Sequence, residues 1–306
     1  MGTVQYVVSS LGGGSTVNPN ETVNITLTQI GGNSADLIGT TVIVTNTDTQ
    51  ETIISTTWSG TIITTEIQAG TDYEIEVGSI SGYIIRMNTV SYQASAFNIR
   101  NISFQYASYG VYIEATDGSL YTAQDWASAS KVKNSVVLLN STKSFRISLS
   151  EKVAPLNNEL AGRYDDYVAI LANPQNDYNS KVNTDSAVAF SVGRGIYNTD
   201  YAAGYARNYY FTYPGEIGNI PAYGEMNLML QNITSINEAL TACNSTTLNN
   251  TDGGYLTSTT ASVYQPDSSH WVMIYSTDGN VTGMNNDYTN GFFSRGKKTR
   301  PICDYD

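Results

Sequence analysis

The chain reads as a β-sandwich over residues 1–106, followed by an α+β domain over 107–306 in which short capped helices interrupt strands. Three observations predict this division. The first third is a series of short runs of strand-forming residues separated by Gly, Asn and Asp turn signals. Helix-start signals and 3.6-residue spacing occur only beyond residue 120. The total of 306 residues also exceeds what one small sandwich needs.

In the first domain the expected strands are Val4–Ser9, Thr22–Gln29, Thr40–Asn46, Glu51–Thr56, Thr61–Gln68, Tyr73–Val77, Arg86–Val90 and Asn98–Tyr106. Gly12-Gly-Gly14, Gly31-Gly-Asn33, Asn46-Thr-Asp48, Ser59-Gly60 and Ala69-Gly70 punctuate them. Val23-Asn-Ile-Thr-Leu27 and Tyr73-Glu-Ile-Glu-Val77 alternate apolar and polar residues, so one face of each strand is for the core. This number and spacing of strands predicts an immunoglobulin-like sandwich. Residues 1–106 hold no Lys, and their acids outnumber Arg86 and Arg100 enough to make the domain acidic. Gly70 to Tyr83 resembles the small sandwich modules repeated in bacterial surface proteins and phage fibres, which serve as stalks or anchors.

The second domain opens with a strand at Gly110-Val-Tyr-Ile113 and a turn at Asp117-Gly118. Thr122-Ala-Gln-Asp125 is a capping box that starts a short helix through Trp126. Ser135–Leu139 and Ser144–Leu149 read as strands. Residues 150–204 read as a long insertion with a short helix near Asp185–Val192. Ile220-Pro221 sets an extended entry to a helix carrying Met226, Met229 and Leu230 on one face. Ser235-Ile-Asn-Glu238 reads as a second capping box. Ile236, Ala239, Leu240 and Cys243 then fall on one helical face, which makes Cys243 a buried, inert thiol; a disulfide with Cys303 is the alternative.

The remaining stretch, Gly253 to Asp306, alternates apolar runs with loops of Asn, Asp, Ser, Thr, Gly and Tyr. The order of motifs is what resembles a known family. Gly110-Val-Tyr-Ile113, Asp117-Gly-Ser-Leu-Tyr121, Trp126, Pro221, Glu225, Tyr255 to Thr259, Trp271, Asp278 to Val281, Gly291 and Arg300-Pro301 follow one another as in C-type-lectin-like domains of the formylglycine-generating-enzyme branch. Such domains close gut-bacterial surface proteins and virion proteins of their phages, including variable proteins of diversity-generating retroelements. The resemblance implies an α+β fold whose first and last strands pair, with a ligand face built from the last fifty or so residues. It does not carry over the enzymatic activity, which needs a reactive cysteine pair.

On that resemblance the ligand face is two polar loops. One holds Tyr264, Asp267, Ser268 and His270; the other holds Asn285, Asn286, Asp287, Tyr288 and Asn290. Tyr would stack on sugar or peptide while Asn and Asp supply paired hydrogen bonds. Ordinary solvated hairpin loops are the other reading of the same residues. Gln265-Pro-Asp267 matches a tripeptide that lectins use to hold Ca²⁺ and sugar, yet Trp271 is followed by Val272-Met273 rather than by the Asn-Asp such a site requires, so no metal and no cofactor is expected. Arg295, Lys297, Lys298 and Arg300 form the basic cluster, read as a solvated strand end or as a seat for an anionic partner.

Net charge of −12 without a basic stripe argues against nucleic acid and against an anionic membrane surface. One His and two Cys leave little for metal or nucleophilic catalysis, and Asp165-Asp166 has no second acidic partner in sequence, so the chain is not expected to be an enzyme. No apolar stretch is long enough to cross a membrane, and the first residues have no signal-peptide pattern, although a trimmed leader would leave the same start. The expectation is a fibre or decoration protein on a virion surface, a homotrimer or failing that a homodimer. Its sandwich would hold other virion proteins, and its lectin-like domain would bind a host-surface glycan or protein. The alternatives are a purely structural virion protein and a bacterial surface or pilus-tip adhesin.

Overall fold

The computed structural model describes residues 19–85, 87–154, 170–171, 176–249, 254–261, 274–275 and 297–305. The chain is mostly β with few helices, and it packs as two compact units. Met1–Ser81 with Ile85–Tyr106 form one, and Gly82–Ile84 with Ala107–Asp306 form the other.

Among the described residues eight strands precede residue 109: β1 Asn20–Gln29, β2 Thr41–Asn46, β3 Thr52–Thr57, β4 Ile63–Gln68, β5 Asp72–Val77, β6 Tyr83–Ile85, β7 Thr89–Gln93 and β8 Ile99–Ser108; the expected strand Val4–Ser9 lies outside them. They make two four-stranded sheets ordered β4–β1–β8–β6 and β3–β2–β5–β7. The stretch read as one strand over Arg86–Val90 is therefore not one: β6 ends at Ile85 and β7 begins at Thr89 in the other sheet. The period-2 pattern of β1 buries Val23, Ile25 and Leu27 and leaves Thr22, Asn24 and Thr26 outward. Val42 and Val44, Tyr73, Ile75 and Val77, and Ile102, Phe104 and Tyr106 complete the core with Trp58. β1 pairs antiparallel with β4, as do β2 with β3 and β5, and β5 with β7. β1 and β8 run parallel, in register from Thr22↔Ile99 to Gln29↔Tyr106.

The second unit is built on a five-stranded sheet. Its strands are β9 Gly110–Ala115, β10 Leu120–Tyr121, β11 Lys133–Leu139, β12 Phe145–Ile147 and β21 Ile302–Asp304, in the order β10–β9–β11–β12–β21. The last strand thus pairs with β12, and not with β9 as the lectin-like resemblance implies. Between β10 and β11 the Thr122 hydroxyl accepts a hydrogen bond from the Asp125 N–H at 3.1 Å and caps the one-turn helix α1, Ala123–Trp126.

One face of this sheet is apolar. Ile113, Val136, Leu138, Phe145, Ile147 and Ile302 pack on Met226 and Met229 of α4 (Tyr223–Gln231) and on Ile236, Ala239, Leu240 and Cys243 of α5 (Ile233–Ala242). The expected apolar faces of both helices are present, but the start of α5 is not where a capping box at Ser235 would put it. The helix begins at Ile233 and Ser235 lies inside its first turn. The working cap belongs to α4, where the Ala222 N–H donates to Glu225 Oε2 at 2.7 Å. Cys243 and Cys303 are both buried free thiols, so no disulfide joins them.

Among its described residues the insertion carries two helices, α2 Ser180–Gly193 and α3 Ala202–Asn208, with α2 longer than the segment Asp185–Val192 suggests. A second sheet, β13–β20–β17–β19, joins β13 Lys152–Ala154, β20 Lys297–Thr299, β17 Tyr255–Leu256 and β19 Ile274–Tyr275. Two-stranded pairs link β14 Ile170–Leu171 to β18 Thr260–Ala261, and β15 Tyr210–Phe211 to β16 Glu216–Ile217.

Candidate functional site

Tyr264, Asp267, Ser268, His270, Asn285, Asn286, Asp287, Tyr288 and Asn290 lie outside the described residues, as do Gln265-Pro266, Trp271, Arg295 and Asp165-Asp166. The described chemistry is concentrated in four buried carboxylate clusters. Among the described residues no group of His, Cys, Asp and Glu is arranged to hold a metal, and no helix is long and apolar enough to cross a membrane.

In the first unit Glu21 occupies the first inward position of β1 and is fully buried. It accepts from Arg100 Nε at 2.7 Å, from Asn98 Nδ2 at 2.6 Å and from the Ser95 N–H at 2.9 Å. The Arg100 guanidinium lies 4.3 Å from the Tyr92 ring centre. Burial, with Glu21 adding to it, pushes the Tyr73 hydroxyl up to about 12.

In the second unit Glu114 and Arg146 sit on the face of the five-stranded sheet opposite α4 and α5. The register Ser135↔Glu114 and Val137↔Arg146 aligns them across three strands. Arg146 donates to Glu114 from Nε at 2.8 Å and from Nη2 at 3.1 Å, and to the Asp304 carbonyl from Nη1 at 2.6 Å. Asn134 Nδ2 and Ser135 Oγ also donate to Glu114, both at 2.9 Å. The Tyr305 and Tyr213 rings flank the guanidinium at 4.5 and 5.5 Å. With apolar packing on one face and this pair on the other, β11 is buried along nearly its whole length and loses the alternation of an exposed strand.

Asp177 anchors the Tyr255 to Thr259 segment. It accepts from Thr259 Oγ1 at 2.7 Å, Asn183 Nδ2 at 2.9 Å and the Asn179 N–H at 3.0 Å. Thr259 Oγ1 in turn accepts the Tyr223 N–H at 2.7 Å. Backbone runs so close here that a Cβ on Gly224 would lie 2.6 Å from the Tyr178 ring and 2.8 Å from the Asp177 carbonyl. Beside it, burial pushes the Glu225 carboxyl up to about 7, against the hydrogen bonds it accepts from the Ala222 N–H and Ser180 Oγ.

The fourth cluster corrects the reading of the basic run. Lys298 and Arg300 are 3 % and 0 % exposed, so they are not a solvated strand end. Period-2 spacing puts both on the inward face of β20 and its continuation, and β20 is held between β13 and β17. Both face the carboxylate of Glu151, just before β13. Arg300 donates to Glu151 Oε2 from Nη2 at 2.7 Å and Nε at 3.1 Å, and to the Ser148 and Thr246 carbonyls from Nη1 and Nη2 at 2.9 and 2.7 Å. Tyr255 Oη donates to the same Oε2 at 2.6 Å, and burial holds that hydroxyl well above its usual range. Lys298 Nζ reaches Glu151 Oε1 at 3.7 Å, Asn249 Oδ1, and the Asn249 carbonyl at 3.3 Å. The run Lys297-Lys-Thr-Arg-Pro301 gave the alternation away, but charge type alone argued for solvent.

The chain matches no family model and no curated protein. Among solved structures it is similar to a fimbrial protein from Bacteroides ovatus, at 10 % identity and TM-score 0.47, over 94 % of this chain and 71 % of that one. It is also similar to the Bacillus anthracis TIE protein, at 11 % identity and TM-score 0.25, over 34 % of this chain and 24 % of that one. A third is a bacterial adhesin from Mobiluncus mulieris containing intramolecular disulfide, isopeptide and ester bond cross-links, at 12 % identity and TM-score 0.19, over 28 % of this chain and 40 % of that one. The chain spans about a quarter of the length of the TIE protein and two fifths of the adhesin. At these identities and scores the likeness fixes neither family nor function.

Proposed function

We propose that the chain is a bacterial cell-surface protein of the adhesin or fimbrial kind, in which the first unit carries tension and the second presents a binding surface. This adopts the cell-surface alternative in place of the virion setting expected from the sequence. The observation that carries the reading is the parallel pairing of β1 with β8 from Thr22↔Ile99 to Gln29↔Tyr106. Tension enters β1 at its first residue and leaves β8 at its last. In a parallel pair these points lie at opposite ends, so all the inter-strand bonds share the force in shear. An antiparallel hairpin pulled at its open end would break them one at a time. Outward side chains add to the shear path: Asn24 Nδ2 donates to Asn101 Oδ1 at 3.0 Å, and Thr64 Oγ1 donates to Asn24 Oδ1 at 2.9 Å from the other flanking strand.

Single-molecule pulling tests this. The intact chain held by its two ends should release the first unit at high force. An Ala96→Cys attachment puts the second handle at an exposed position just before β8, at the same end of the pair as the start of β1, and should unzip it at a clearly lower force. Both native cysteines are buried, so such a handle would be selective. Equal forces in the two geometries would remove the mechanical reading.

The presenting surface is proposed as the two loops around Tyr264–His270 and Asn285–Asn290, with surface glycan or protein as ligand. Tyr288→Ala and Asp267→Ala should weaken attachment to cells or isolated polysaccharide while leaving the melting temperature unchanged. Attachment equal to the parent in both variants would leave the second unit a structural one. A homotrimer remains the proposed assembly, to be measured by analytical ultracentrifugation.

A further inference from the structure

The Lys298 cluster is more than a salt bridge, because its parts are those of an amide-forming site. Nζ of a buried lysine rests against the side-chain carboxamide of Asn249 through Oδ1, with one carboxylate oxygen, Glu151 Oε1, 3.7 Å from the same nitrogen. The other oxygen, Oε2, is committed to Arg300 and to Tyr255 Oη. Glu151 is therefore held in a fixed pose with its free oxygen turned to Lys298. The Tyr255 ring lies 5.6 Å from Nζ and helps close the site from water. Lys298 and Arg300 both lie within ion-pair distance of this carboxylate, at 3.7 and 2.7 Å, in a place where charge is costly to bury.

We propose that Lys298 and Asn249 become joined by an intramolecular isopeptide bond, with Glu151 as the proton carrier. Nζ gives a proton to Glu151 Oε1, and its freed lone pair attacks Asn249 Cγ. The Cγ–Nδ2 bond then breaks as Nδ2 is protonated and leaves. The ammonium of Lys298 and the carboxamide of Asn249 become a secondary amide and one ammonium ion. Nζ loses two protons, both of which depart with the leaving nitrogen, and nothing is oxidised or reduced. The reaction needs no reagent beyond these residues, because proximity and orientation replace a bimolecular encounter. It also takes the ammonium of Lys298 out of a buried position, since the departing ammonium ion carries that charge to solvent. The link would tie β20 to the segment after α5 and close the intervening stretch into a covalent loop, which restricts the unfolded chain. The inference does not depend on the tension-bearing reading.

Intact-mass measurement of the purified full chain tests it directly. The expected result is a mass lower than that of the sequence by one ammonia, about 17 Da. Proteolysis should then yield a single branched species containing both Asn249 and Lys298, and trypsin should fail to cut after Lys298. Lys298→Ala and Glu151→Gln should each restore the full mass; the unmodified chain is read first, so poor folding of a variant does not decide the matter. Cyclisation of Asn249 to a succinimide would lose the same mass, but it leaves the Lys298 peptide separate. That result, or a full-length mass with two unlinked peptides, overturns the proposal.

Discussion

Replacing Arg146 by Met removes the cation from a fully buried ion pair of the second unit while keeping a side chain of similar length. Glu114 is fully buried and accepts four hydrogen bonds, two of them from Arg146. The variant leaves Asn134 and Ser135 as donors to a carboxylate with no counter-charge, and it frees the Asp304 carbonyl that Nη1 satisfied. Two charge-assisted bonds at about 1.5–3 kcal/mol each bracket a loss of roughly 3–6 kcal/mol. That agrees with the cost of about 3–5 kcal/mol for stripping one partner from a buried pair. Arg146→Met should therefore destabilise the second unit by about 3–5 kcal/mol, and Glu114→Gln in the same background should recover part of it, because the double variant no longer buries a charge. Hydrogen exchange resolved by peptide is the suitable assay, since it separates the two units where a global melt would blend them. Protection should fall along β9, β11, β12 and β21 and stay unchanged in β1 to β5 and in β7. A loss below about 1 kcal/mol, or a double variant as unstable as both singles summed, would refute the argument that the pair neutralises a buried charge.

Glu225 predicts a pH dependence of definite sign. Its folded value of about 7 lies above its ordinary value, so the folded chain binds the proton more tightly. Its contribution to stability is fully present below the ordinary carboxyl range and is lost as pH rises through about 7; Glu225→Gln should flatten that slope, and an unchanged slope by denaturant titration would reassign it. Burial pushes Cys243 up to about 11 and Cys303 up to about 12, so neither should react with an alkylating reagent at pH 8 until the chain is unfolded; labelling of the native protein would refute this. Cys243→Ser should cost about 1–3 kcal/mol by placing a hydroxyl on the apolar face shared with Ile236 and Leu240, measured as a shift in the second unit's denaturation midpoint. Tyr106→Phe orphans the Gly78 carbonyl, which now accepts from Tyr106 Oη at 2.7 Å, and should cost the first unit about 1–2 kcal/mol in the same measurement.

Local chemistry was legible wherever it acts within a few residues. Alternation along β1 and β5 fixed which side chains face the core, because a strand's period of two allows no other burial of Val23, Ile25 and Leu27. The Thr122 cap and the Met226–Met229 and Ile236–Leu240 faces were readable for the same reason, since capping and helical spacing act over one or two turns. The tertiary structure decided everything set by partners far apart in sequence. Ser235 belongs to a capping pattern, yet α5 starts at Ile233. β21 chose β12 as its neighbour, with Arg146 bonded to the Asp304 carbonyl 158 positions away. Lys298 and Arg300 carry charges that by composition belong in water, and Glu151, 149 positions before Arg300, is brought to them by the fold. A charge advertises its cost of desolvation in the sequence, but the group that offsets that cost is brought to it by the fold alone.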